Sequence, residues 1–174
     1  HYRGSFEVLN KAYSLALNEA GSLLNEEGTF RTGANWPTVW TRDISYATHL
    51  GLGLWNVHAC MKSLNARVRN GEVEQDTGTG GSWPISSDRV VWGMAAWEVY
   101  CLTGDAGWLA RSCRVLEKTC MRDEQVLAAT GGLVKGESSF LDWREQSYPA
   151  WMTSADIGDS CSLSTMVLHA EARK

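Results

Sequence analysis

The sequence predicts an all-α protein of helical hairpins, about half of a two-layered helical barrel, and three observations carry that prediction. Three aromatic–proline pairs, Trp36-Pro37, Trp83-Pro84 and Tyr148-Pro149, each stand ahead of an apolar helical run. They lie 47 and 65 residues apart (36 to 83, 83 to 148), the length of a helical hairpin with its loops, and self-similarity on that scale marks a repeat architecture. Amphipathic and wholly apolar helical segments alternate along the chain, as two nested helical layers require. No strand-rich run competes with them. With roughly 55–60 residues per unit, a closed ring of six would need about twice this length. The 174 residues therefore read as one domain, 1–174, forming part of a barrel.

The elements follow in order. Phe6, Leu9, Tyr13, Ala16, Leu17, Ala20, Leu23 and Leu24 repeat at helical spacing with Glu7, Lys11 and Glu19 off the stripe, which predicts an amphipathic surface helix. Gly28 is expected to end it. The segment 43–64 is apolar on nearly every face and carries Gly51 and Gly53, so it is expected as a buried inner helix. Residues 65–82, charged and rich in glycine, have no periodicity and predict a long loop. A second inner helix is expected over 90–102, capped by Ser86, Ser87 or Asp88. Thr103-Gly104-Asp105 is a tight joint, with Gly closing one helix and Asp capping the next. That next helix, 106–121, alternates Trp108, Leu109, Val115 and Leu116 with Arg111, Arg114, Glu117 and Lys118, a surface pattern. After the glycine-rich break at 131–136, a last helix is expected over 160–172.

Composition narrows the function classes. A net charge of −4 argues against nucleic acid or an anionic membrane as partner, since such binders carry a basic excess. No apolar stretch reaches the ~18 residues of a membrane span. The N-terminus leaves the compartment open. Five cysteines without a Cys-x-x-Cys pair suggest neither a disulfide framework nor a zinc site, and all five are expected as small buried apolar residues. His49, His58 and His169 have no metal-ligand spacing, and no phosphate or dinucleotide loop is present, so no cofactor is expected. Nine tryptophans are the compositional outlier. They fit a packed helical core, where indole supplies large buried area. They equally fit a carbohydrate cleft, where indole faces cover sugar rings.

Trp40-Thr41-Arg42-Asp43, at the start of a buried helix after an aromatic–proline loop, resembles the tryptophan–x–arginine–aspartate signature of six-hairpin glycoside hydrolases. That superfamily of (α/α)6 toroids includes glucoamylases, trehalases and α-rhamnosidase-like enzymes. The block from Gly136 to Gln146, with Glu137, Asp142, Trp143 and Glu145, resembles their general-acid segment about a hundred residues later. The resemblance covers nearly the whole chain as the N-terminal half of such a domain. It implies that Trp40, Arg42 and Asp43 hold the sugar whose anomeric bond is cut. The chemistry is apt, because a guanidinium supplies donors and a carboxylate acceptors for neighbouring hydroxyls. An N-terminal helix aspartate beside a surface arginine would look the same in sequence.

Glycosidic cleavage needs a protonated carboxyl at the leaving oxygen and a second carboxylate to activate water or attack carbon. Asp142 and Glu145 both stand among apolar neighbours that raise a carboxyl pKa, and Glu145 is favoured over Asp142. In glucoamylase-like sequences a glutamate directly follows the tryptophan, whereas here Arg144 intervenes. In trehalase-like sequences a Glu-Ser-x-x-Asp pattern supplies an aspartate, and here Glu137-Ser138 precedes Asp142 with one extra residue. Asp88, placed like Asp43 in the second repeat, and Trp83, placed like Trp36, are further candidates to line the cleft, against helix capping and core packing respectively. Asp156 and Asp159 read as capping residues. The family places the catalytic base in the other half of the barrel. The reading is thus an inverting glycoside hydrolase acting on a small or terminal sugar unit of an oligosaccharide or glycoside. Its other partner would be the remaining half of the barrel. The alternatives are phosphorolysis in the same fold, a non-catalytic carbohydrate-binding module, or a helical scaffold.

Overall fold

In the computed structural model, residues 3–74, 89–136 and 148–174 are described, the side chain of Ser154 excepted. The first helix, α1 (Glu7–Ser22), forms over the expected stripe, with Glu7 at the positive end of the helix dipole. None of its residues is fully buried, and Phe6, Val8, Leu9 and Leu15 are exposed. Gly28 does not end this helix. It sits at φ 77° in the return from Leu24 to Phe30, where the Asn25 amide donates to the Thr29 carbonyl at 3.0 Å. Glycine accepts that left-handed conformation without a Cβ clash.

The segment 43–64 is a hairpin, not one buried helix. Helix α2 (Thr41–Ala47) passes through a π-turn, Thr48–Leu52, into α3 (Gly53–Ala66). Arg67 Nε donates to Thr41 Oγ1 at 3.1 Å. A straight helix would hold residues 26 apart at about 39 Å, so the chain has doubled back. The reversal is written locally. Gly51 takes φ 158°, outside any helix, and Asn56 (φ −149°, ψ 76°) is extended. The Asn56 side-chain oxygen accepts the Ala59 amide at 3.1 Å, the geometry of an N-cap, so the regular part of α3 starts there. Gly53 sits where a Cβ would fall 2.9 Å from the Thr48 carbonyl oxygen, which lets the two arms close. Leu50 (79 % exposed), Leu54 and Trp55 lie on the outside of this bend, so the apolar run is only partly core.

The expected long loop also begins with structure. Val68–Arg69 (β1) and Glu72–Val73 (β2) pair antiparallel around Asn70-Gly71, both at positive φ. Asn-Gly is the preferred two-residue hairpin turn, a signal present in the sequence. The Val73 amide donates to Thr119 Oγ1 at 3.0 Å, which pins the hairpin to a later helix.

Helix α4 (Val91–Thr103) and helix α5 (Ala106–Leu127) meet at the predicted joint. Gly104 takes φ 65°, and Asp105 accepts the Trp108 amide at 2.9 Å. The start of α4 has no Ser or Asp cap among the described residues: its N-cap is Val90, and residues 86–88 lie outside them. On α4, Val91, Trp92, Ala95, Ala96 and Val99 are buried, and all but Val91 join Phe30, Ile44, Ala59, Cys60, Leu64, Val73, Trp108 and Val115 in the core cluster. Two tryptophans tie the helices as well as filling space. Trp92 Nε1 donates to the Leu64 carbonyl at 3.0 Å and Trp108 Nε1 to the Ala96 carbonyl at 2.8 Å. Because Trp92 opens α4 where α3 ends, and Thr41 opens α2 at that same end, α2 and α4 run parallel with α3 antiparallel to both. Gly93 allows the α4–α5 approach, since a Cβ there would meet Leu116 Cδ1 at 2.7 Å.

Beyond α5 a short 3-10 turn, Thr130–Gly132, brings the chain back so that the Lys135 amide donates to the Leu127 carbonyl at 2.8 Å. The last helix forms where it is expected, over 163–172, and a further short helix, which the sequence reading did not include, precedes it. Helix α6 (Ser154–Asp159) starts on a capping box of Thr153 and Asp156, and α7 (Leu163–Ala172) starts on Ser162, packing against α4 and α5. The cysteine expectation fails in part. Cys60 and Cys120 are buried, but Cys101, Cys113 and Cys161 are exposed, because they fall on helix faces or turns that nothing in the described fold covers.

Candidate functional site

The site is built at the junction of the 31–40 loop with α2. The Thr32 amide and hydroxyl both donate to the Thr38 carbonyl, at 3.1 and 3.0 Å, and Thr32 Oγ1 accepts the Trp40 amide at 3.1 Å. Within that clamp Gly33 and Trp36 form an isolated antiparallel bridge. Trp40, in extended conformation, is the N-cap position of α2, which puts Arg42 and Asp43 in its first turn. There the helix dipole favours the Asp43 carboxylate. The Trp36 and Trp40 rings meet in a tilted contact, 5.3 Å between centres with their planes 53° apart, and Trp40 Nε1 donates to Thr38 Oγ1 at 3.0 Å.

Asp43 is exposed and Arg42 half-buried. Asp43 borders a pocket of about 290 Å³ between α1 and α2, with Glu19, Arg31 and Thr32 as its other polar walls and Leu23, Phe30 and Ile44 among its apolar ones. The Arg31 guanidinium is turned to the Ser22 carbonyl at 2.7 Å. A larger groove of about 840 Å³ is lined by α4, α5 and the C-terminal part of α7 and shares no residue with this pocket. Arg42, the other residue of the candidate pair, does not line the smaller pocket.

The same end of the fold gathers the anchors of the other candidate segments. Thr41 Oγ1 donates to the Glu74 carbonyl at 3.1 Å, and Arg69 Nε lies 2.8 Å from Glu74 Oε1. Arg89 Nη1 donates to the Val73 carbonyl at 2.8 Å, and Arg89 Nη2 lies 2.6 Å from Asp123 Oδ1. Four residues beyond Asp123, Leu127 holds Lys135. The residues that flank 75–88 on both sides, and the segment that leads towards 137–147, thus stand at the end where α2 and α4 begin. Trp83, Asp88, Glu137, Asp142, Trp143 and Glu145 themselves lie outside the described residues.

The buried pair Arg89–Asp123 was not anticipated. Burial pushes the Asp123 carboxyl above the usual carboxylate range, opposed next by the charge and hydrogen bonds of Arg89 and then by His169. Its sequence signal was a lone acid on the apolar side of α5. Asp156 is held below its usual range by hydrogen bonds from the Thr153 amide and hydroxyl, in keeping with a capping role. His49 Nδ1 stands 3.3 Å from Glu98 Oε2, linking the α2 turn to α4. Among the described residues no cluster of His, Cys, Asp or Glu has the arrangement of a metal centre, and no helix is long and apolar enough to cross a membrane. Compared with known proteins, the chain matches no protein family, no curated protein and no solved structure.

Proposed function

We propose that the chain is the first half of an (α/α)6 toroid and belongs to a glycoside hydrolase, inverting, that acts on a small or terminal sugar unit. Arg42 and Asp43 grip hydroxyls of the sugar at the cleavage point, Trp40 backs them, and Glu145 or Asp142 protonates the leaving oxygen. Glu137, Trp143, Trp83 and Asp88 complete the cleft, and further hairpins supply the base. The observation that supports this reading best is the common end: parallel α2 and α4 both begin there, Asp43 opens to a pocket there, and the flanks of the other candidate segments are anchored there. A cleft at the N-terminal ends of parallel inner helices also places helix dipoles towards carboxylates and sugar oxygens.

The test is calorimetric titration of the chain with neutral mono- and disaccharides, with Asp43→Asn alongside. Binding that falls tenfold or more in the variant supports the grip, and no binding of any sugar refutes the reading. Glycoside hydrolysis once the barrel is complete, lost in Glu145→Gln or in Asp142→Asn, identifies the acid. Sugar binding with turnover unchanged in both variants removes the acid assignment and favours a binding module.

A further inference from the structure

We infer that Trp36, not Trp40, is the ring on which a sugar stacks, and that it forms a second subsite beside Arg42 and Asp43, so that the site takes a neutral oligosaccharide of at least two rings. This rests on the sugar-binding reading and deepens it. Trp36 is 52 % exposed. An indole of that exposure is commonly mobile, but this one is held on three sides. Pro37 restrains its backbone to extended conformations. The Trp36 amide donates to the Gly33 carbonyl at 3.0 Å and its carbonyl accepts the Gly33 amide at 3.4 Å, closing a small ring of chain beneath it. One ring edge meets Gly33, where an added Cβ would lie 3.4 Å from Trp36 Cδ1, and the ring leans on Trp40.

Trp40 has a different part. It is half-buried, its ring nitrogen is committed to Thr38 Oγ1, and its backbone caps α2. It is therefore the backing that keeps the Trp36 face outward. The carbon–hydrogen face of a pyranose covers an indole face, while its edge hydroxyls need charged or polar partners. Residues 36–43 supply both within one loop and one helical turn. Trp36 does not line the pocket that Asp43 borders, so the indole and the pocket are two separate places, which two linked rings can share.

The experiment compares wild type, Trp36→Ala, Trp36→Phe and Asp43→Asn by calorimetry against the mono-, di- and trisaccharides of glucose, mannose and galactose. Wild type is expected to prefer the longer member of whichever series it binds. Trp36→Ala is expected to lose about tenfold on that member while keeping the monosaccharide affinity, and Trp36→Phe to retain most of it, an aromatic face being what matters. Circular dichroism melts establish that each variant is folded, and the Phe variant carries the comparison should Ala disturb the loop. If wild type binds sugars and Asp43→Asn weakens them but the di- to monosaccharide ratio is the same in Trp36→Ala, the second subsite is wrong and the sugar reading stands. If wild type binds none of the sugars, both fall.

Discussion

The buried Arg89–Asp123 pair allows the sharpest test of how this fold is held. Arg89 is 6 % exposed and Asp123 1 %, and three guanidinium hydrogen bonds are made: Nε and Nη2 to Asp123 Oδ1 at 3.0 and 2.6 Å, and Nη1 to the Val73 carbonyl at 2.8 Å. Asp123→Leu keeps the space filled but leaves a buried cation with one carbonyl partner. Removing one member of such a pair costs about 3–5 kcal/mol, whereas replacing both with apolar groups of similar volume is near neutral or stabilising. Against a total stability of about 5–15 kcal/mol the single variant loses a large share, and at about 2–4 °C per kcal/mol its melting point falls by roughly 6–20 °C. Arg89→Met with Asp123→Leu should return to within about 2 kcal/mol of wild type, the Val73 carbonyl being the group left short of a donor. Urea denaturation at neutral pH, followed by circular dichroism, measures both. A single variant within 1 kcal/mol of wild type, or a double variant as weak as the single, would refute the reasoning.

Other expectations are as concrete. Because the folded carboxyl of Asp123 titrates above its unfolded value, its contribution is fully present below the unfolded pKa, near 3.8, and is lost as pH rises through the folded one. Acidifying through that window should therefore raise wild-type stability relative to Asp123→Asn, and a difference between the two that does not change with pH would contradict the assigned burial. Gly53→Ala places a Cβ 2.9 Å from the Thr48 carbonyl oxygen and 3.0 Å from Leu102 Cδ1, which should destabilise by about 1–3 kcal/mol in the same assay. With a thiol reagent at neutral pH, Cys101, Cys113 and Cys161 should react quickly, while Cys60 and Cys120, buried and with thiol pKa values raised by that burial, should react only on unfolding. Fast reaction of all five would show that α3 or α5 is not packed as described.

How much of this was legible in the chain depended on whether the signal was local. Helicity, the Gly104–Asp105 joint and the surface pattern of α5 were readable because capping and hydrophobic period are properties of neighbouring residues; the structure repeats the joint, while α5 runs on past its expected end at 121 to Leu127. The hairpin within 43–64 was written in Gly51, Gly53 and Asn56, but continuous hydrophobicity hid it: apolar residues on every face describe a buried helix and a bent, half-covered one equally well. The Asn70-Gly71 turn was likewise present and passed over among charged neighbours. Long-range matters had no such trace. That Asp123 would be buried against Arg89, that Trp92 and Trp108 would donate to carbonyls on neighbouring helices, and that Thr41 would meet Arg67 all follow from which elements pack together. The same holds for the site. Residue types in 36–43 pointed to sugar chemistry, yet which indole is covered and which is left facing water was settled by the clamp of Thr32 on Thr38 and by the lean of one ring on the other, contacts that exist only once the chain has folded.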